Sequence, residues 1–179
     1  MPDTQEISEI LMRRYLSPVV SALILLAALS TVGCSRAAKK ARLLDRAQVS
    51  FEAGQYDMAK IDYLTVLRSE AGNGTAIARL GQIWFDEGVP VRAVPFLLRT
   101  RDTAPRDREN RLRLVRAYLA LGQTAEAKKE ALAVLHEYPD CGEALILLTQ
   151  AVRSAEDVQT AERALRSFPQ KETSDYCVA

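Results

Sequence analysis

Apolar residues recur along this chain every three or four positions. Leu43, Leu44, Ala47 and Phe51 form one such stripe, and Val158, Ala161, Leu165 and Phe168 form another near the C-terminus. Spacing of this kind places side chains on one face of an α-helix. Glycines and prolines punctuate the stripes. A first helix is predicted over ARLLDRAQVSFEA, and a second from about Tyr56 to Leu67. AGNG at 71–74 reads as a turn. Pro90 opens a further helix, where proline is tolerated because the first helical amide has no partner in any case. Pro95, about a turn further in, removes a backbone donor and predicts a slight kink. PRDREN at 105–110 opens the next helix pair, and a last pair runs from near Cys141 to near Phe168.

The punctuation is periodic. Gly54, Gly88 and Gly122 stand 34 residues apart, and so do Ala59, Ala93 and Ala127. Tyr63, Leu97 and Ala131 keep the frame, as do Ala47, Gly81 and Val115, and Ala71, Pro105 and Pro139. A fixed period of this length means one supersecondary unit copied along the chain. Small residues fall where the two helices of a unit approach most closely, and Leu, Tyr, Phe and Trp fill the wider gaps between units. The glycines stand where a first helix needs a left-handed residue to close it. Pro105 and Pro139 stop the second helices. An all-α superhelix, an α-solenoid of about three to four helix pairs, is the expected fold.

The middle copy supplies Leu80, Gly81, Trp84, Gly88, Ala93, Leu97 and Pro105. The first supplies Leu43, Ala47, Gly54, Tyr56, Ala59 and Tyr63; the third supplies Leu114, Tyr118, Gly122, Ala127 and Pro139. A fourth copy is carried by Leu145, Leu148, Ala161 and Leu165. This pattern resembles the tetratricopeptide repeat. Two departures stand out: Val115 replaces a glycine, and Glu156 stands where the fourth copy should turn.

The segment before the repeats is different. Arg13 and Arg14 precede the apolar run VVSALILLAAL, and STVGC ends at Cys34. A charged start, a short apolar core and small residues before a cleavage point make a secretory signal. The cysteine after Val32 and Gly33 resembles a bacterial lipobox, with Thr31 in place of the usual leucine, and this resemblance implies lipidation of Cys34. Asp3, Glu6 and Glu9 are unusual for a signal start, so Met12 is an alternative first residue. Two other readings stay open: cleaved export without lipid, and an uncleaved anchor with the repeats facing the cytoplasm. The apolar core is short for a membrane span, whereas Arg36, Lys39, Lys40 and Arg42 beyond it argue for an inward-facing C-terminal part. The expected division is a signal over 1–33, a tether over 34–40, repeats over 41–169 and a polar tail over 170–179.

Little in the chain suggests catalysis. His136 is the only histidine, near a predicted helix end where it suits the helix dipole. GNG at 72–74 lacks the lysine and preceding strand of a phosphate loop. No catalytic, metal or cofactor site is expected. A formal net charge of +1 gives no electrostatic footprint for nucleic acid. Cys141 and Cys177 are a candidate disulfide in an exported protein, with two free thiols as the alternative.

The resemblance implies that the first helix of each unit lines a concave groove. Its positions are Leu44, Gln48, Phe51 and Glu52; Ala78, Gln82, Phe85 and Asp86; Leu112, Arg116, Leu119 and Ala120; and Ile146, Gln150, Arg153 and Ser154. Gln48, Gln82, Arg116 and Gln150 would form a hydrogen-bonding row, and Phe51, Phe85 and Leu119 an apolar row. Such a groove suits a protein or peptide segment. The Asn/Lys clamp that some relatives use for a C-terminal carboxylate is absent. The last helix has an apolar face with no later helix to cover it, which suggests a partner or self-association there. The function expected is a non-enzymatic interaction scaffold, a membrane-anchored lipoprotein facing the periplasm. AGQYDMAKIDYLTVL, and AIARLGQIWFDEG after it, resemble repeat lipoproteins of envelope assembly and exopolysaccharide export. An enzyme, or a non-catalytic subunit, of cell-wall metabolism is the alternative.

Overall fold

The computed structural model describes residues 36–169, and these contain helices and turns only. α1 covers residues 36–52. α2 is Tyr56–Ser69, α3 Gly74–Asp86, α4 Pro90–Thr103, α5 Arg108–Ala120, α6 Thr124–Glu137, α7 Gly142–Gln150 and α8 Ala155–Ser167. They form four antiparallel pairs, each packed on the next. Residues 36–40, expected in the tether, continue α1 instead; Ala37, Ala38 and the two lysines are good helix formers. The rest of the expected tether, the signal segment and the tail from residue 170 lie outside the described residues.

The turns repeat in atomic detail. Gly54, Gly88 and Gly122 have φ of 70°, 72° and 70°. Each donates its N–H to the carbonyl of Phe51, Phe85 or Leu119, at 3.0, 2.9 and 3.0 Å. The next residue donates to Ser50, Trp84 or Tyr118, at 2.8, 2.9 and 2.8 Å. This pair of bonds satisfies carbonyls that a helix end leaves unpaired and requires the left-handed glycine between them. The second helices end on Glu70, Ala104 and Tyr138, all in similar conformations with φ of −144°, −133° and −127° and ψ of 85°, 69° and 79°. Proline follows two of the three, and Ala71 follows the first. Pro95 lies inside α4, and it and Val91 are exposed, so the Val91 carbonyl that loses its donor is on the solvent side.

Burial follows the 34-residue frame. Ala59, Ala93 and Ala127 are completely buried. A Cβ on Gly81 would stand 3.1 Å from Leu97 Cδ2 and 3.3 Å from the Leu97 nitrogen, so α3 and α4 approach too closely there for an unadjusted side chain. Position 63 of the frame is Tyr63, Leu97 and Ala131, all inaccessible, but its fourth member Leu165 is 61% exposed. Ile83, Ala117 and Ala151 are buried, whereas their first-repeat counterpart Val49 is 65% exposed. Each of these exposed residues sits where a neighbouring pair would cover it, and no such pair is among the described residues.

Polar contacts tie the pairs together. Arg46 holds Asp62 with two bonds, Nε to Oδ2 at 2.6 Å and Nη2 to Oδ1 at 2.5 Å. Arg111 is buried and pairs with Glu130 at 2.6 Å and Glu137 at 3.1 Å, while Arg101 reaches Glu130 at 3.4 Å. Asn110 donates from its side chain to the Leu97 carbonyl at 3.0 Å, across a repeat boundary. Trp84 lies beneath Lys60 and Arg92, whose charged groups are 4.4 and 4.7 Å from its ring.

The fourth pair departs from the frame. α7 stops at Gln150, and Ala155 starts α8 three residues earlier than Tyr56, Pro90 and Thr124 start their helices. Without a glycine at 156, no left-handed closure forms. A capping box replaces it: Asp157 N–H donates to Ser154 Oγ at 3.2 Å, and Asp157 Oδ2 accepts from the backbone of Ser154 and Arg153, each at 3.0 Å. Lys128 of α6 pairs with the other carboxylate oxygen.

The Lys128 ammonium, then the backbone N–H of Arg153 and the Ser154 side chain, hold the Asp157 carboxyl well below its ordinary 3.8. A carboxyl depressed in the folded state stabilises the fold above its unfolded pKa and loses that contribution as pH falls through the folded one. Asp157→Asn should therefore be less stable than the parent at neutral pH and approach it in acid, below about pH 4. Thermal melts by circular dichroism at pH 7, 5, 4 and 3 measure this. Parallel pH curves for the two proteins would contradict the cap.

Candidate functional site

α3 packs on α5, and α5 on α7, in addition to the contacts within and between adjacent pairs; the second helices are not matched to one another in this way. The first helices are therefore the crowded, inner layer, and their free sides form the concave face.

The glycine closures fix where α1, α3 and α5 end, and so fix the residues one turn before. Phe51 and Phe85 are half-buried against the first two core clusters that the repeats build, and Leu119 against the third. Phe51 stacks on Tyr56, with ring centroids 5.8 Å apart, and the Arg79 guanidinium lies 4.6 Å from its centroid. The expected apolar row is thus partly committed to packing and shows the groove only its free edges.

The polar row is joined by a residue absent from it. Gln48 Oε1 accepts from Arg79 Nε at 3.2 Å and from the Tyr63 hydroxyl at 3.1 Å, while Gln48 Nε2 donates to Glu52 at 2.7 Å. Arg79 Nη1 donates to Gln82 Oε1 at 2.9 Å. Burial pushes the Tyr63 phenol up, so it stays a hydrogen-bond donor at neutral pH. Arg116 is also not free. It pairs with Glu143, and its other nitrogen lies 3.8 Å from Glu109, which Arg113 reaches at 3.3 Å.

An open cavity of about 470 Å³ lies between α3 and α5, lined by Thr75, Ala78, Arg79, Gln82, Glu109 and Arg113 among others. Gln48, Phe51 and Gln82 are thus gathered around Arg79, and Arg116 continues the groove through Glu109 and Glu143. Gln150 is exposed on the last turn of α7, and its carbonyl accepts from Arg153 at 3.0 Å, outside this network. Leu112, expected in the groove, is buried instead, because α7 packs over that side of α5. Arg79, Glu109, Arg113 and Glu143 went unread in the sequence. Their signal was periodic: Arg79 and Arg113 share one column of the frame, and Glu109 and Glu143 another.

Cys141 is buried in the core just before α7 and has no disulfide partner among the described residues. Cys177 and Cys34 lie outside the described residues. Among the described residues no helix is long and apolar enough to cross a membrane, and no group of three or more His, Cys, Asp or Glu could hold a metal ion.

A family model described as tetratricopeptide repeat matches residues 85–151. No curated protein matches the chain by sequence. Among solved structures it is similar to MamA from MSR-1, at 21% identity and a TM-score of 0.59, covering 70% of this chain and 71% of that one. It is also similar to the first tetratricopeptide domain of Spaghetti (RPAP3) bound to an HSP90 peptide, at 20% identity and a TM-score of 0.52, covering 72% of this chain and 94% of that one. A third is the O-GlcNAc transferase of Thermobaculum terrenum, at 23% identity and a TM-score of 0.53, covering 66% of this chain but 23% of the enzyme. Residues 85–151 thus match the tetratricopeptide-repeat family, and the 34-residue frame, four packed helix pairs and left-handed glycine closures give the described residues a tetratricopeptide-repeat fold.

Proposed function

We propose that this chain is a non-enzymatic scaffold that holds an extended segment of a partner protein in the groove of α1, α3, α5 and α7. The observation that carries the reading is the ordered row Gln48–Arg79–Gln82, set beside half-buried Phe51 and Phe85 and an open cavity. Side chains already held by their neighbours lose little freedom when a ligand arrives, which favours binding. The Spaghetti domain, of similar fold, was solved with a peptide bound. The scaffold is proposed to work at a bacterial envelope, facing the periplasm, with Cys34 lipidated and holding it to a membrane. Support for that part is the signal-like run Val19–Leu29 and the VGC that ends at Cys34.

Binding energy concentrates in few aromatic and arginine anchors, so removing one costs about 2 kcal/mol or more. Phe85→Ala and Gln82→Ala should abolish or strongly weaken partner capture from cross-linked envelopes while leaving helicity intact. Lys129→Ala on the exposed side of α6 should leave capture unchanged. Equal capture by all three would move the binding surface away from the groove.

The anchoring reading predicts that cells fed labelled fatty acid incorporate it into the parent chain and not into Cys34→Ala, and that the variant leaves the membrane fraction. A parent chain without label would contradict lipidation.

A further inference from the structure

Other buried or half-buried arginines of the repeats have an acid of their own. Arg113 has Glu109, Arg116 has Glu143 and Glu109, Arg111 has Glu130 and Glu137, and Arg101 has Glu130 and Asp102. Arg79 is different. Its partners are two neutral amide oxygens and the face of Phe51, and no carboxylate of the described residues lies in ion-pair range. Three contacts fix this guanidinium at the wall of the cavity between α3 and α5, with no carboxylate of the described residues paired directly to it. Taking a cation part-way out of water without a counter-ion is unfavourable, and a carboxylate arriving there forms charge-assisted bonds of the stronger kind.

The second donor follows from chemistry. An arginine offers hydrogens only, so Gln82 must turn its oxygen to Arg79, leaving its amide nitrogen as a donor directed elsewhere. Arg113, on the same cavity, adds positive charge from the α5 side and is balanced by Glu109, while Asp107, the other carboxylate on this cavity, caps α5 by accepting from the Asn110 N–H at 2.9 Å. Gln48 completes the arrangement from behind, since its oxygen also takes the Tyr63 hydroxyl and its nitrogen holds Glu52, so the amide cannot rotate without losing three bonds.

We propose that this cavity receives an aspartate or glutamate side chain of the bound segment, with Arg79 as its counter-ion, which presupposes the peptide groove proposed above. Gln48 and Phe51 act as positioning residues for the guanidinium. The acid sits within the ligand and is not its C-terminal carboxylate, because the cavity lies along α3 and α5 with groove continuing on both sides, through Gln48 towards α1 and through Arg116 towards α7.

The test selects binders to the full chain in detergent micelles from a degenerate decapeptide library, C-terminally amidated so that no α-carboxylate is present. The parent should enrich Asp or Glu at one fixed position. Replacing that acid by its amide should weaken binding about tenfold. Arg79→Gln should remove the acid preference and bind the acidic and amide peptides alike. Trp84 fluorescence and helical circular dichroism confirm that the variant remains folded, and Arg79→Lys, which keeps the charge, should restore part of the preference. Enrichment without an acidic position, an acid preference unmoved in Arg79→Gln, or binding that needs a free C-terminus would each overturn the assignment and leave the groove standing. No selected peptide at all would overturn the groove itself.

Discussion

The structure depends on how closely two helices can approach within each repeat. Ala59, Ala93 and Ala127 have no exposed surface, and Gly81 has no room for a Cβ without displacing Leu97. Enlarging such a contact pushes helices apart, with a cost of about 1–3 kcal/mol in a packed core. The spacing between the helices sets where the next pair docks, and the docking sets the line of first helices. The groove is therefore a consequence of small residues on its far side. Glycines at 54, 88 and 122 add the second constraint, because they end each first helix at one place and so hold Phe51, Phe85 and Leu119 at equivalent heights.

Most of the fold was legible in the sequence because the frame writes the same physical requirement several times. A single alanine says little; Ala59, Ala93 and Ala127 with glycines at a constant offset say that one unit recurs. Legibility ended where the frame was broken. Glu156 signalled a missing turn but not its replacement, and the capping box of Ser154 and Asp157 could have been read from their spacing and residue types. The start of α1 was misplaced because Lys39 and Lys40 read as solvated charge, although lysine and alanine are also good helix formers.

The groove was only half legible. Its helices and its glutamines could be placed by register, but which charges neutralise one another depends on side chains meeting across repeats. Arg116 was expected in the groove's hydrogen-bonding row and is paired, while Arg79, unread in the sequence, is fixed with no carboxylate paired directly to it. Leu112 illustrates the same gap in an apolar residue. Its column reads as groove-facing, yet α7 covers it, since burial in a solenoid is decided by the neighbouring repeat. Val49 and Leu165 show the complementary case: residues built to be covered, at pairs with no neighbour on that side among the described residues.

If nearest-neighbour docking in a 34-residue frame holds the molecule together, the frame should accept one more unit. Tandem duplication of Gly74–Asp107 adds a copy of α3 and α4 and keeps an N-cap at each junction, Asp107 before the copied α3 and again before α5. Circular dichroism of this chain and the parent through thermal unfolding is the direct measurement. The account predicts a helical signal larger by the 13 and 14 residues of the two added helices, and one cooperative transition at or above the parent temperature. An unchanged helical signal, or an added transition below an unaltered parental one, would show that the repeats do not couple through this frame.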